Sequence, residues 1–203
     1  MEPVKVITIA DKEAFLRQIS KPVEINDPEL EENIDTLEEY CKKYDKILAF
    51  AAVQLGIPKR LIYIKNTNLD LITKPKSEKT EEEKSYNEKR VLINPTIISR
   101  EGLTDDWETC ASCLDNIGHV KRPYKIKVEY YDLDGNKKEE IFKGFESTVL
   151  SHEMDHLDGI LHMDIAEEVL QIPKEERKEF WKTHKYIIIS KTGDYEELLK
   201  NSK

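Results

Sequence analysis

Cysteine is scarce. Three of 203 residues are cysteine, an odd, low count that cannot build a disulfide framework. No apolar run approaches the length needed to span a bilayer. The N-terminal stretch MEPVKVITIADKEAFL holds an apolar run of five residues, too short for the core of an export signal. A basic excess is also missing. Thirty-two Lys and Arg stand against 41 Asp and Glu, a net charge of −9, which argues against general binding to nucleic acid or anionic membrane. No internal repeat is visible. A reducing, cytoplasmic setting follows as the default, where free thiols serve as ligands, nucleophiles or small buried residues.

What is present suffices for one good-sized domain over residues 1–203 with a genuine core: 38% of the chain is apolar although 36% is charged. INDPELEENIDTLEEYCKKY reads as an amphipathic helix, with Asp27 as N-cap and Pro28 at the first helical position. Leu30, Ile34, Leu37 and Cys41 form its buried stripe. RLIYIK (60–65) reads as a strand. Residues 66–90 are charged and poor in apolar side chains, which predicts an exposed, mobile insertion. VLINPTIIS returns to strand character, with Pro95 at an edge or break. YKIKVEYYDLDGNKKEEIFKG has the alternation of a hairpin, Ile126, Val128 and Tyr130 facing inward and Asp134-Gly135 at the turn. FESTVLSHEMDHLDG reads as a buried helix stopped by Gly159. A tail from about residue 166 offers a short helix after Pro173, a strand YIIIS and a last polar helix. Strands followed by a buried helix predict an α+β fold: small antiparallel sheets packed around that helix.

The buried helix carries His152, Glu153 and His156 in the pattern H-E-x-x-H. Residues i and i+4 lie one above the other on a helix, so both imidazoles can reach one metal, with Glu153 beside it as a carboxylate base. The bare pattern also occurs by chance on solvated helix faces. Here Val149, Leu150 and Leu157 bury the helix, and buried histidines need partners. A catalytic site needs a third ligand. His162 supplies one locally, because HEMDHLDGILH also fits the zinc-peptidase pattern H-E-x-x-H-x-x-G-x-x-H. That family requires a later methionine turn, and no methionine follows Met163. The alternative is a cysteine from upstream. DWETCASCLDN offers Cys110 and Cys113.

At this point the chain resembles the peptide deformylases. That family carries three motifs in order, G-x-G-x-A-A-x-Q, E-G-C-x-S and H-E-x-D-H. Here ILAFAAVQ (47–54) stands for the first, ETCAS (108–112) for the second and HEMDH (152–156) for the third. LRQISKPVEI, LGIPKRLIYI, INPTI and LDGILHMD are similar to the family's intervening stretches. The resemblance covers residues 15 to 165, the insertion excepted. Two registers fit the second motif. Placing Cys113 at the ligand position puts Ala111 where the family has glutamate. Placing Cys110 there keeps Glu108, Cys110 and Ser112, and lets Glu108 partner Arg122 in VKRPYKI. The second register is preferred, and Cys113 becomes a packed neighbour. A zinc knuckle lacks its second C-x-x-C, a redox motif lacks a thioredoxin-like setting, and a regulatory Cys110–Cys113 disulfide is a further reading.

The resemblance implies removal of the formyl group from N-formylmethionyl peptides, with formate released. Cys110, His152 and His156 would hold a divalent metal, Fe(II) by preference, with Zn, Ni or Co also suited. Glu153 would move the proton. The Gln54 amide and the Ala111 N–H would steady the oxyanion. Nascent chains, met at the ribosome, are the implied partners, in a cytoplasm or an organelle of bacterial origin. The chain departs from the family at Ile47 and Ala49, which replace motif glycines, at Thr109 and Ala111, and at Ser151. The metal and proton-transfer set is whole and the substrate-facing set is altered. Hydrolysis with a changed substrate preference is expected. The alternatives are a degenerate peptide binder without efficient turnover and the His162 zinc peptidase.

Overall fold

The computed structural model describes residues 5–24, 26–44 and 47–202. The first four residues of the stretch considered for export, and Ile25 of LRQISKPVEI, lie outside these. In chain order the elements are α1 (Ile9–Leu16), α2 (Leu30–Lys43), β1 (Ala49–Ala51), β2 (Leu61–Ile64), α3 (Leu69–Thr73), α4 (Glu81–Ser85) and β3 (Arg90–Thr109). There follow β4 (Asn116–Arg122), β5 (Lys125–Tyr131), β6 (Lys137–Lys143), α5 (Phe145–Leu157), α6 (His162–Ile165), β7 (Glu168–Gln171), α7 (Arg177–Thr183), β8 (Ile187–Asp194) and α8 (Tyr195–Asn201). Two short 3-10 turns, Ala52–Leu55 and Ala111–Cys113, directly follow β1 and β3 respectively, the second after Cys110.

Eight antiparallel strands form one sheet, organised by the 20-residue β3. Along one edge β3 pairs with β2 and then β8. Along the other it pairs with β5 and then β4. The β1–β2 end is buried on both faces. Ala49, Ala51, Ile62, Ile64 and Leu92 meet α5 residues Val149, Leu150, Met154 and Leu157. The alternate residues Phe50, Leu61, Tyr63, Val91 and Ile93 meet α2 through Leu37, Tyr40 and Cys41. A strand covered on both faces needs no polar alternation, which explains the continuous apolar run LIYI. Leu30 and Ile34 pack partly buried against the same cluster, so the predicted stripe is the one used.

The structure corrects the start of α2. Asp27 and Pro28 precede it: the Asp27 carboxylate accepts from the Glu29 N–H at 3.0 Å in a local turn, and the helix begins at Leu30. Asp27 instead pairs with Lys59 at 2.7 Å. Pro95 sits inside β3, where the pairing with β5 slips between Ile93 and Thr96. A bulge accommodates a residue that cannot donate to the ladder. Asn94 holds φ +53° there, and its side chain bonds both backbone groups of Val23. The hairpin β5–β6 forms as expected, closed by a loop in which Asp132 accepts from the N–H groups of Asp134 and Asn136. The charged segment 66–90 carries α3 and α4, neither with a buried residue. Its base is closed where Glu88 accepts from the Thr67 N–H and hydroxyl at 2.7 and 2.8 Å.

Beyond α5, Gly159 turns the chain at φ +73°, and its Cα lies so near Arg17 that an added Cβ would stand 2.3 Å from the Arg17 carbonyl oxygen. Only glycine meets both demands. The tail then returns to the sheet, β7 on β4 and β8 on β3.

Candidate metal centre

Alternation along β3 sends Thr104, Asp106 and Glu108 to the face covered by α5, and the chain leaves the strand at Cys110. On α5, Thr148, His152 and His156 fall at spacings of four and face this edge. The ligand atoms of Cys110, His152 and His156 all lie within 4.8 Å of one another. The His156 Nε2 is 3.1 Å from the Cys110 Sγ. The His152 Nδ1–H donates to Glu108 Oε2 at 2.8 Å, which leaves Nε2 as the ring atom that would turn to a bound metal. Glu108 is gripped by the Arg122 guanidinium through two bonds of 2.7 and 2.9 Å, and Arg122 also reaches Asp155 on α5. One buried arginine thus ties β3, β4 and α5 together around the imidazole.

The electrostatics follow from burial and these contacts. Burial raises the Glu108 carboxyl, but Arg122 and His152 outweigh it and hold the group well below the usual carboxylate range. Burial works against charge on His152, and the Cys110 sulfur and Glu108 reverse this, so its pKa stands well above the ordinary value. Burial lowers His156. Glu153, beside the same site, is pushed up to about 7, chiefly by burial and then by the neighbouring sulfur. Its Oε2 and the His156 Nδ1 are buried without a hydrogen-bond partner.

Gln54 arrives from the 3-10 turn after β1. Its Oε1 accepts from the Ala51 N–H at 3.2 Å, so its NH2 faces Cys110 Sγ at 3.3 Å and Ser112 Oγ at 3.1 Å. Ala111 directly follows the sulfur and is exposed, while Cys113 is buried with Leu16 and Leu161. The two readings of DWETCASCLDN therefore separate in space: Cys110 joins the histidines and Cys113 does not. The zinc-peptidase arrangement is not formed. After the turn at Gly159, the buried His162 ring stacks on His152 at 5.7 Å and does not join the three-residue cluster. An added Cβ on Gly118 would lie 2.7 Å from the His162 ring, so glycine makes the room for it.

Asp106 was not singled out from sequence. It is buried two residues from Glu108, and burial first, then Glu108, raises it to about 7. The signal available was its alternate position on the strand that carries Glu108.

A soft thiolate donor and two imidazoles converging on one point suit a borderline divalent metal. With the Glu153 carboxyl adjacent, the set has the make-up of a metal-dependent hydrolase centre. Residues 3–171 match the family described as polypeptide deformylase, and the chain belongs to that family. It is 38% identical over 161 residues to a peptide deformylase of Rhodopseudomonas palustris, covering 79% of this chain and 83% of that protein. A probable peptide deformylase from Synechococcus phage S-SSM7 superposes with a TM-score of 0.65 at 32% identity, over 79% of this chain and 98% of that one. A peptide deformylase from Synechococcus elongatus, solved in complex with actinonin, does so with 0.65 at 29%, over 88% and 84%. Among the described residues no helix is long and apolar enough to cross a membrane.

Proposed function

We propose that the protein hydrolyses the formyl amide of N-formylmethionyl peptides, releasing formate and a free amino terminus. The observation that carries this is the convergence of Cys110, His152 and His156 beside Glu153, within a chain of the deformylase family. Those three residues would hold a divalent metal. Fe(II) is the favoured ion, and Zn, Ni or Co suit the same donors. When bound, the ion supplies a Lewis acid and makes hydroxide available near neutral pH.

The remaining roles belong to the chain's own groups. Glu153 takes the proton of the attacking water and passes it to the leaving amine, a task for which its buried carboxyl, with Oε2 left without a partner, is placed. The Gln54 amide, held by the Ala51 N–H, and the Ala111 backbone N–H donate to the oxygen that gains charge. Glu108 and Arg122 fix the tautomer and tilt of His152. Ala49, in place of a motif glycine, is fully packed in the α5 core. Its methyl group is taken up by that core, so this replacement does not by itself carry a changed peptide preference. Nascent chains at the ribosome, in a cytoplasm or an organelle of bacterial origin, are the natural source of the substrate.

Formate release from formyl-Met peptides by anaerobically iron-loaded or nickel-loaded protein is the test. Release that disappears in Glu153→Gln, with metal retained, is expected. No release from any formylated peptide by metal-loaded protein overturns the reading.

A further inference from the structure

Cys113 is the one member of the C-x-x-C pair that the hydrolytic chemistry leaves unused. Its position is not that of an arbitrary core residue. Cys110, Ala111, Ser112 and Cys113 form one tight turn, closed by the Cys113 N–H donating to the Cys110 carbonyl at 3.2 Å. The ends of such a turn lie within about 7 Å at Cα, and Cys110 enters it in extended conformation, with φ −134° and ψ 140°. Disulfides need Cα atoms about 4.4–6.8 Å apart. Both cysteines are free, both are buried, and both belong to the same small apolar cluster with Leu16 and Leu161. Directly afterwards the chain reverses at Leu114, with φ +57° and ψ −121°.

The two sulfurs differ in surroundings. The Cys110 Sγ has the Gln54 Nε2 at 3.3 Å and the His156 Nε2 at 3.1 Å, groups able to donate to a thiolate. No hydrogen bond reaches the Cys113 sulfur among the described residues. Polar partners thus surround one sulfur of the turn and apolar side chains the other. Cys110 itself is buried but directly precedes the exposed Ala111, so the sulfur lies one residue from solvent.

We propose that Cys110 and Cys113 are a peroxide-oxidisable dithiol, in which Cys113 captures oxidised Cys110 as a disulfide and releases the metal reversibly. The inference rests on the reading of Cys110 as a metal ligand. Hydrogen peroxide is the oxidant. The Cys110 thiolate attacks it, an S–O bond forms, the O–O bond breaks, and a sulfenic acid and hydroxide result. The Cys113 thiol gives up its proton and attacks the sulfenic sulfur. An S–S bond forms, the S–O bond breaks, and water leaves. One thiolate and one thiol together lose two electrons, and one peroxide becomes one water and one hydroxide. A disulfide sulfur is a poor metal donor, so the ion departs. A dithiol reductant restores both thiols, whereas an uncaptured sulfenic acid proceeds to the irreversible sulfinic state.

The experiment treats metal-loaded wild-type, Cys113→Ala and Cys113→Ser proteins with hydrogen peroxide. Released metal is followed with a chromogenic chelator, and the thiols are mapped by mass spectrometry of the tryptic peptide spanning residues 101–121, which holds both. In the wild type we expect loss of two hydrogens from that peptide, loss of metal, and recovery of metal binding after dithiothreitol and metal. In both variants we expect Cys110 sulfinic or sulfonic acid and recovery reduced about tenfold or more. Sulfinic Cys110 beside an unmodified Cys113 thiol in the wild type overturns the proposal, as does equal recovery in all three proteins. Reduced Cys110→Ser is assayed for metal and formate in parallel. Full metal retention there overturns the ligand assignment and this inference together. Intact metal dependence and activity with no disulfide sinks this inference alone.

Discussion

The two ends of β3 are held by opposite means. At Arg90–Ile93 the strand is covered by apolar side chains on both faces, with α5 above and α2 below. At Thr104–Glu108 it turns a polar row toward α5: Thr104 approaches Thr148, Glu108 bonds His152 and Arg122, and Arg122 reaches Asp155. The apolar end contributes stability through burial that any shape-matched side chains could supply. The polar end gains little net stability from its charges, because desolvation offsets their attraction. What it gains is direction, since an imidazole bonded on Nδ1 can present only Nε2. Stability and chemistry are therefore loaded onto different stretches of one strand.

Substitutions at each end should break different properties. The largest effect is expected at Glu153. Glu153→Gln should lower kcat/KM for formyl peptide by about 10²–10⁴-fold while metal content stays whole; a loss of metal in that variant would mean that the residue is a ligand. In the metal-loaded enzyme the cation favours the ionised carboxylate, so the acid limb of the pH profile should lie below the value of about 7 set by burial. Next comes Glu108→Ala, which leaves the buried Arg122 with Asp155 alone and frees His152. Unfolding in urea should show about 3–5 kcal/mol lost, together with about 10–100-fold weaker metal binding. Leu37→Ala, at the other end, should cost a similar or smaller amount, about 2–4 kcal/mol by the same measurement, yet leave metal affinity unchanged. If both variants lose metal in equal measure, the division between the ends is wrong.

The smallest effect sharpens the contrast. Asp106 is raised to about 7 from an ordinary 3.8, so the folded protein holds this proton more tightly than the unfolded chain. Its contribution is present below pH 4 and is lost as pH rises through about 7. Asp106→Asn should therefore stabilise the protein by about 1–3 kcal/mol at pH 8 and by almost nothing at pH 4. Denaturation midpoints at the two pH values check this. A gain of equal size at both would remove the titration from the explanation.

Much of this was legible in the sequence, for identifiable reasons. Helical and strand periodicities located α2, the β5–β6 hairpin and α5, because each buries a regular stripe. The preference for Cys110 came from Glu108 and Ser112, which set the register around it, and Arg122 stands on Glu108 as that register requires. The Asp27 cap failed because its carboxylate is engaged by Lys59, a contact between distant segments that no local pattern carries. The length of β3 was hidden by Pro95, which reads as a break yet lies in a bulge. The polar row through Asp106 was missed because an acidic residue in a strand ordinarily signals solvent. The helices of segment 66–90 bury nothing, so apolar spacing could not announce them.

The pairing of β8 with β3 has a consequence for how the chain matures. The strand is made long before its last partner, and β3 residues 101–105 wait for a segment at the far end of the polypeptide. Contacts of such long sequence separation form late. Until they do, the stretch of β3 nearest the polar row presents an unpaired edge, open to strands of other chains. Three consecutive isoleucines, Ile187, Ile188 and Ile189, then arrive on β8 and remain exposed after docking. The edge of the wall that carries Glu108 closes only when β8 docks, so a chain cut before Ile187 should aggregate.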